Sequence, residues 1–112
     1  AVATSTHWEV ARGKLAAAGL LDFFQTVTGG DQVARGKPAP DIYLAAVASL
    51  GLAGKDCVAF EDSSPGALAA AAAGLRAVMV PDLTQPTSKA LAVACRVARS
   101  LEEVRGWFGA EE

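Results

Sequence analysis

The run Cys57-Val58-Ala59-Phe60 carries no polar side chain, ends on two adjacent acids, Glu61 and Asp62, and passes straight into Ser63-Ser64-Pro65-Gly66. A half-exposed strand alternates polar and apolar residues, so a short, wholly apolar run points to a strand covered on both faces. Ala77 to Val80 repeats the pattern and is stopped by Pro81. Strands of this kind belong to parallel sheets, whose crossover connections lay helices over both faces. That requirement confines the chain to an α/β architecture more tightly than any other feature of the sequence.

The intervening segments supply the helices. Ala1 to Ala3 are apolar and stop at Thr4-Ser5-Thr6, after which Trp8, Ala11, Leu15 and Ala18 fall at helical spacing and Gly19 ends the helix. Phe24, Thr26, Val27 and Thr28 favour a short strand broken by Gly29-Gly30. In the segment from Arg35 to Leu52 the paired prolines hold Lys37 and Ala39 extended. Pro40 then suits the first helical position of a helix running to about Leu50, stopped by Gly51. Ser64 is placed to cap the next helix with Pro65 just inside it, and the alanine tract from Ala69 to Ala73 lets that helix lie close on a sheet. The rest reads as a short helix near Ser88 to Val93, a brief strand near Val97 and a terminal amphipathic helix from about Leu101 to Phe108, with Trp8, Trp107 and Phe108 as packing residues.

A length of 112 residues with 52% hydrophobic and 20% charged composition fits one domain with its own core. The net charge of −2 offers no basic stripe for a phosphate backbone, which excludes nucleic acid as a partner. No apolar run approaches the roughly 20 residues a membrane span needs, and the opening residues lack the basic and apolar regions of a signal peptide, so a cytoplasmic location is expected. Cys57 and Cys95 form no CxxC and read as two buried or half-buried thiols in a reducing compartment. The chain opens without Met on what looks like the end of a strand, which is how a fragment begins.

In an open parallel sheet, ligands sit outside the carboxyl ends of the strands. Thr4 and Ser5 follow the first strand, Glu61 and Asp62 follow the Cys57 strand, and Lys37 lies in the loop after the Phe24 strand. Adjacent exposed carboxylates suit Mg²⁺, which takes one or two of them and completes its shell with water and substrate oxygens. A hydroxyl beside free N–H groups at a strand-to-helix turn can hold phosphate oxygens, and a lysine framed by prolines supplies a point charge. Taken singly each has a plainer reading: acids at a helix start, a threonine N-cap, a solvated lysine. His7 reads as exposed and uninvolved, and Ser63 and Ser64 lack the partner base a serine nucleophile needs.

The stretches "AVATST", "GKPAPDIYLAA" and "FEDSSPGALAAAAAG" resemble, in order and spacing, the second, third and fourth signature motifs of the haloacid dehalogenase superfamily, in the subgroup of beta-phosphoglucomutase and phosphoglycolate phosphatase. The resemblance implies a Rossmann-like three-layer α/β sandwich and a Mg²⁺-dependent phosphatase or phosphomutase acting on a small phosphorylated metabolite through an aspartyl-phosphate. It implies that Thr4 binds the phosphoryl group with help from the Ser5 backbone N–H. Lys37 would neutralise phosphate and nucleophile, and Glu61 and Asp62 would hold Mg²⁺, Asp62 directly.

The family's first motif, Asp-x-Asp, is absent, since none of Asp22, Asp31, Asp41, Asp56, Asp62 and Asp82 has an aspartate two positions on. The cap domain that follows that motif in this subgroup is absent too. Residues 1–112 therefore resemble a partial core domain whose nucleophile lies elsewhere. A non-catalytic phosphate-binding or complementing module is the alternative. In the family the first-motif strand lies between the strand ending at Thr4 and the strand ending at Glu61. A gap is expected there, to be filled by the missing amino-terminal segment or a neighbouring chain.

Overall fold

The structure is a computed structural model and describes residues 1–82 and 85–108. Five strands alternate with five helices: β1 (Val2–Ala3), α1 (Trp8–Ala17), β2 (Val27–Thr28), α2 (Asp41–Leu50), β3 (Val58–Glu61), α3 (Ser64–Ala72), β4 (Arg76–Met79), α4 (Ser88–Val93), β5 (Arg96–Val97) and α5 (Leu101–Phe108). Single 3₁₀ turns at Leu21–Phe23, Gly30–Gln32 and Gly54–Asp56 complete the connections.

All pairings are parallel, as the apolar runs require. β1 lies beside β2 with Ala3 opposite Thr28, β3 beside β4 with Ala59 opposite Ala77, and β4 beside β5 with Met79 opposite Val97. Among the described residues these ladders make two sheets, β1-β2 and β3-β4-β5, and no ladder joins β1 to β3. The two strands expected to flank a gap are therefore separate. An apolar cleft of about 330 Å³ is lined by Val2 and Ala3 on one side, Val58 and Ala59 on the other, and Ala46 and Val47 of α2.

The core sits where α3 meets β3 and β4. Ala67, Ala69 and Ala70 are fully buried, and a helix surface made of methyl groups brings the backbone close to Ala59, Ala77 and Met79. Ile42, Tyr43 and Val47 extend this core along α2, which ends where Gly51 takes a left-handed φ of 70°. On the opposite face α5 sends Val104 onto Val78 and Ala98, and the Trp107 ring lies 3.6 Å from the Arg96 guanidinium. Trp107 is thus a packing residue that also stacks on a cation. The Phe108 side chain lies outside the described residues.

Several expectations shift by a residue or more. β3 runs through Glu61, so the first acid belongs to the strand and is buried. Phe60 points to the face opposite Ala59, is 41% exposed and lines an open cleft with Val80 and Leu101, so coverage on both faces does not hold there. The cap of α3 is Ser63, whose hydroxyl accepts the Gly66 N–H at 3.2 Å, and Ser64 is the first helical residue. Pro40 precedes α2 instead of opening it. Cys57 is half-buried as expected, but Cys95 is exposed, and both are free thiols. No described helix is long and apolar enough to cross a membrane.

Candidate active site

β1 is continued by the Thr4 N–H, which donates to the Thr28 carbonyl at 3.0 Å. The chain then turns at once, because the Thr4 hydroxyl accepts the Thr6 N–H at 3.2 Å, a local side-chain turn of the kind threonine favours. Thr4 is therefore not the cap of α1. That role falls to Asp31, whose Oδ1 accepts the Trp8 N–H at 2.7 Å from a distant loop. The Gly30 N–H donates to the Thr6 carbonyl at 2.9 Å, so the Asp31 loop holds the Thr4–Thr6 turn from behind and leaves Ser5 exposed. His7 precedes α1, exposed and with no side-chain cap bond.

Lys37 crosses the open end between the two sheets. Its Nζ donates to Glu61 Oε2 at 2.7 Å and lies 3.5 Å from the Ala3 carbonyl oxygen, joining the end of β3 to the end of β1. The two charged side chains are 14% and 7% exposed, and burying both is tolerable only with good geometry and further hydrogen bonds. Glu61 has them. The Tyr43 hydroxyl, from the first turn of α2, donates to the same Oε2. The carboxylate also lies against the first turn of α3, so closely that a Cβ on Gly66 would overlap it. A helix N-terminus is electropositive, so this position favours the anion as well as enclosing it. Burial, then the hydrogen bond and charge of Glu61, push the Tyr43 phenol far above its ordinary value, so it stays a donor throughout the working pH range.

Asp62, one residue further, is exposed and borders a cleft of about 460 Å³ whose walls include Glu61, Asp82 and Arg99. The residues singled out in the sequence thus divide. Lys37 and Glu61 are in contact, Thr4 is adjacent through Ala3, Ser5 is exposed in the turn after β1, and Asp62 stands in solvent at the end of β3. The Ser64 hydroxyl accepts the Thr87 N–H at 3.0 Å.

Glu61 Oε2 already accepts from both Lys37 and Tyr43, whereas Asp62 and Asp82 are exposed along the same cleft. Among the described residues there is no group of three or more His, Cys, Asp or Glu that could hold a metal. The exposed Asp62 carboxylate is a donor of the kind Mg²⁺ takes, since that ion fills most of its octahedron with water and substrate oxygens.

Two contributors escaped the sequence reading. Tyr43 is the chain's single tyrosine, placed six residues after Lys37 among the apolar residues Ile42, Leu44, Ala45, Ala46 and Val47, and that polar tip was the available signal. Asp31 gave none, because its partner Trp8 is 23 residues away.

The family model for haloacid dehalogenase-like hydrolases matches residues 1–74, from β1 through α3. The chain belongs to that hydrolase family. Protein CbbY of Rhodobacter capsulatus is 53% identical over 60 residues, covering 54% of this chain and 26% of the relative. The crystal structure of CbbY from Rhodobacter sphaeroides in complex with phosphate superposes with a TM-score of 0.82 at 36% identity, over 92% of this chain and 47% of that one. Beta-phosphoglucomutase from Clostridium difficile superposes with a TM-score of 0.76 at 25% identity, over 90% and 43%. The parallel α/β fold is thus that of haloacid dehalogenase-like proteins, and this chain spans about half the length of the structures it matches.

Proposed function

We propose that this chain is the phosphoryl-binding part of a Mg²⁺-dependent phosphatase or phosphomutase acting on a small phosphorylated metabolite in the cytoplasm. The observation that carries the reading is the Lys37 ammonium, held between the Glu61 carboxylate and the Ala3 carbonyl at the point where Thr4 begins its turn. A cation fixed beside a hydroxyl and the exposed Ser5 turn is suited to a phosphate dianion. The phosphate carried by the structurally similar CbbY of Rhodobacter sphaeroides supports the same ligand class.

In this reading Lys37 and Thr4 bind and orient the phosphoryl group, the Ser5 N–H assists, and Glu61 fixes Lys37. Asp62 is the direct Mg²⁺ ligand with Glu61 beside it, and the ion supplies charge neutralisation at the transferring group. The aspartate that forms the aspartyl-phosphate lies outside these residues, which hold no Asp-x-Asp. Its carrier is an amino-terminal segment of the same protein or a neighbouring chain, entering as a strand between β1 and β3. The apolar walls of that cleft, Val2, Ala3, Val58 and Ala59, support this partner.

The test is hydrolysis of a generic aryl phosphate with Mg²⁺ by the 112-residue chain and by the parent protein that carries Asp-x-Asp. The parent turns over and the short chain does not, and Lys37→Ala and Asp62→Asn in the parent each lower turnover on the order of a hundredfold. Full activity in both variants would refute the assignment. Equal activity of the short chain would place the nucleophile within it.

A further inference from the structure

Lys37 and Glu61 share a third neighbour whose chemistry the proposed function does not use. Tyr43 is 6% exposed, its hydroxyl donates to the same Glu61 Oε2 that accepts from Lys37, and its ring centroid lies 5.3 Å from Lys37 Nζ. One side chain therefore touches both members of the ion pair, holding the carboxylate through a hydrogen bond and the ammonium across the face of its ring.

A lysine head on a four-carbon stem is otherwise a poorly ordered charge, and fixing it sacrifices rotamer freedom. Here the Nζ lies over the Tyr43 ring, one N–H goes to Glu61 and a second faces the Ala3 carbonyl. An ammonium has three donors, so one remains on a nitrogen held at the carbonyl of Ala3, the residue before Thr4.

We propose that Tyr43 is a positioning residue that locks Lys37 and Glu61 into one geometry and so presents the remaining ammonium donor to a phosphate oxygen. This rests on the phosphate-site reading for the identity of the anion, but the locking itself does not. A merely structural tyrosine would satisfy Glu61 and stabilise α2 without affecting the order of Lys37.

Tyr43→Phe separates the two, since it keeps the ring and the packing and removes the hydroxyl. The experiment measures solvent exchange of the Lys37 ammonium protons by nitrogen-15 NMR in the 112-residue chain, alongside a titration with inorganic phosphate. In Tyr43→Phe the ammonium protons exchange about tenfold faster and phosphate binds several-fold more weakly, in keeping with the loss of a hydrogen bond to a charged group. Ammonium exchange equal to wild type in Tyr43→Phe overturns the proposal, whatever happens to thermal stability. Failure of wild type to bind phosphate counts against the phosphate-site reading alone, because the exchange rate still decides the role of Tyr43. If Tyr43→Phe does not fold, the wild-type chain decides: Lys37 ammonium protons protected from solvent uphold the lock, and exchange as fast as that of an exposed lysine refutes it.

Discussion

Lys37 and Glu61 stand 24 residues apart, one in the loop before α2 and one at the end of β3, and meet at 2.7 Å with little of either exposed. The same ammonium reaches the Ala3 carbonyl, so the pair is the polar link between two parallel sheets that share no ladder among the described residues. Its position at the open end of the cleft makes it at once a structural clasp and a charge available to a ligand.

The two partners of this pair are not equally exposed to water. Lys37→Met leaves a carboxylate that is 7% exposed with Tyr43 as its remaining side-chain donor. That is expected to cost on the order of 3 kcal/mol, because the loss of one partner leaves a buried charge uncompensated. Glu61→Gln keeps an acceptor for Tyr43, and the freed lysine can extend into solvent, so about 1–2 kcal/mol is expected. Urea denaturation of both variants checks the order; a larger loss for Glu61→Gln would contradict it.

Gly66 and Gly13 give an opposed pair of substitutions in two helices. A Cβ at Gly66 would overlap the Glu61 carboxylate, whereas at Gly13 nothing lies within 4 Å. Gly66→Ala is expected to destabilise by about 1–3 kcal/mol through overpacking. Gly13→Ala is expected to stabilise by about 0.5–1 kcal/mol through helix propensity. Thermal melts of the two variants should move in opposite directions.

Much of this fold is legible in the sequence because its signals are local. The apolar runs, the glycine after α2 and the small-residue face of α3 mark parallel strands and their covering helices without reference to anything distant. The site is legible only in part. Glu61, Asp62, Thr4 and Ser5 fall at strand ends and Lys37 in the loop that follows β2, and the carboxyl ends of strands are where such sheets place ligands. What strand placement does not encode is which carboxylate is buried. Glu61 became the partner of Lys37 instead of an open ligand because β3 extends one residue further than its apolar run, turning that side chain inward under α3. The cap of α3 is Ser63 and not Ser64 because it is the Ser63 hydroxyl that reaches the Gly66 N–H, three residues on. Phe60 is exposed although its run is wholly apolar, because the cover of a strand depends on elements far away in the chain.

Arg35 and Asp41 frame the Lys37 loop from outside, with Arg35 Nη2 donating to Asp41 Oδ1 at 2.8 Å and Nε to Oδ2 at 3.4 Å. The Arg35 hydrogen bond holds the Asp41 carboxyl below its ordinary value of 3.8. A depressed folded-state value stabilises the fold above the ordinary value, and the contribution is lost as pH falls through the lower one. The stability difference between wild type and Asp41→Asn should therefore be constant near neutral pH and shrink below about pH 4. Denaturation curves across that range check it, and a difference that grew on acidification would contradict it.

The central claim is that the open end between β1 and β3 is a phosphate site governed by Lys37, and it is tested most directly by titrating inorganic phosphate into the chain with Mg²⁺ present while following backbone amides by NMR. The account predicts saturable shifts concentrated at Thr4, Ser5, Lys37 and Asp62, and a roughly tenfold weaker affinity in Lys37→Ala, equivalent to about 1.4 kcal/mol. Shifts scattered over the surface, or an affinity that Lys37→Ala leaves unchanged, would contradict it.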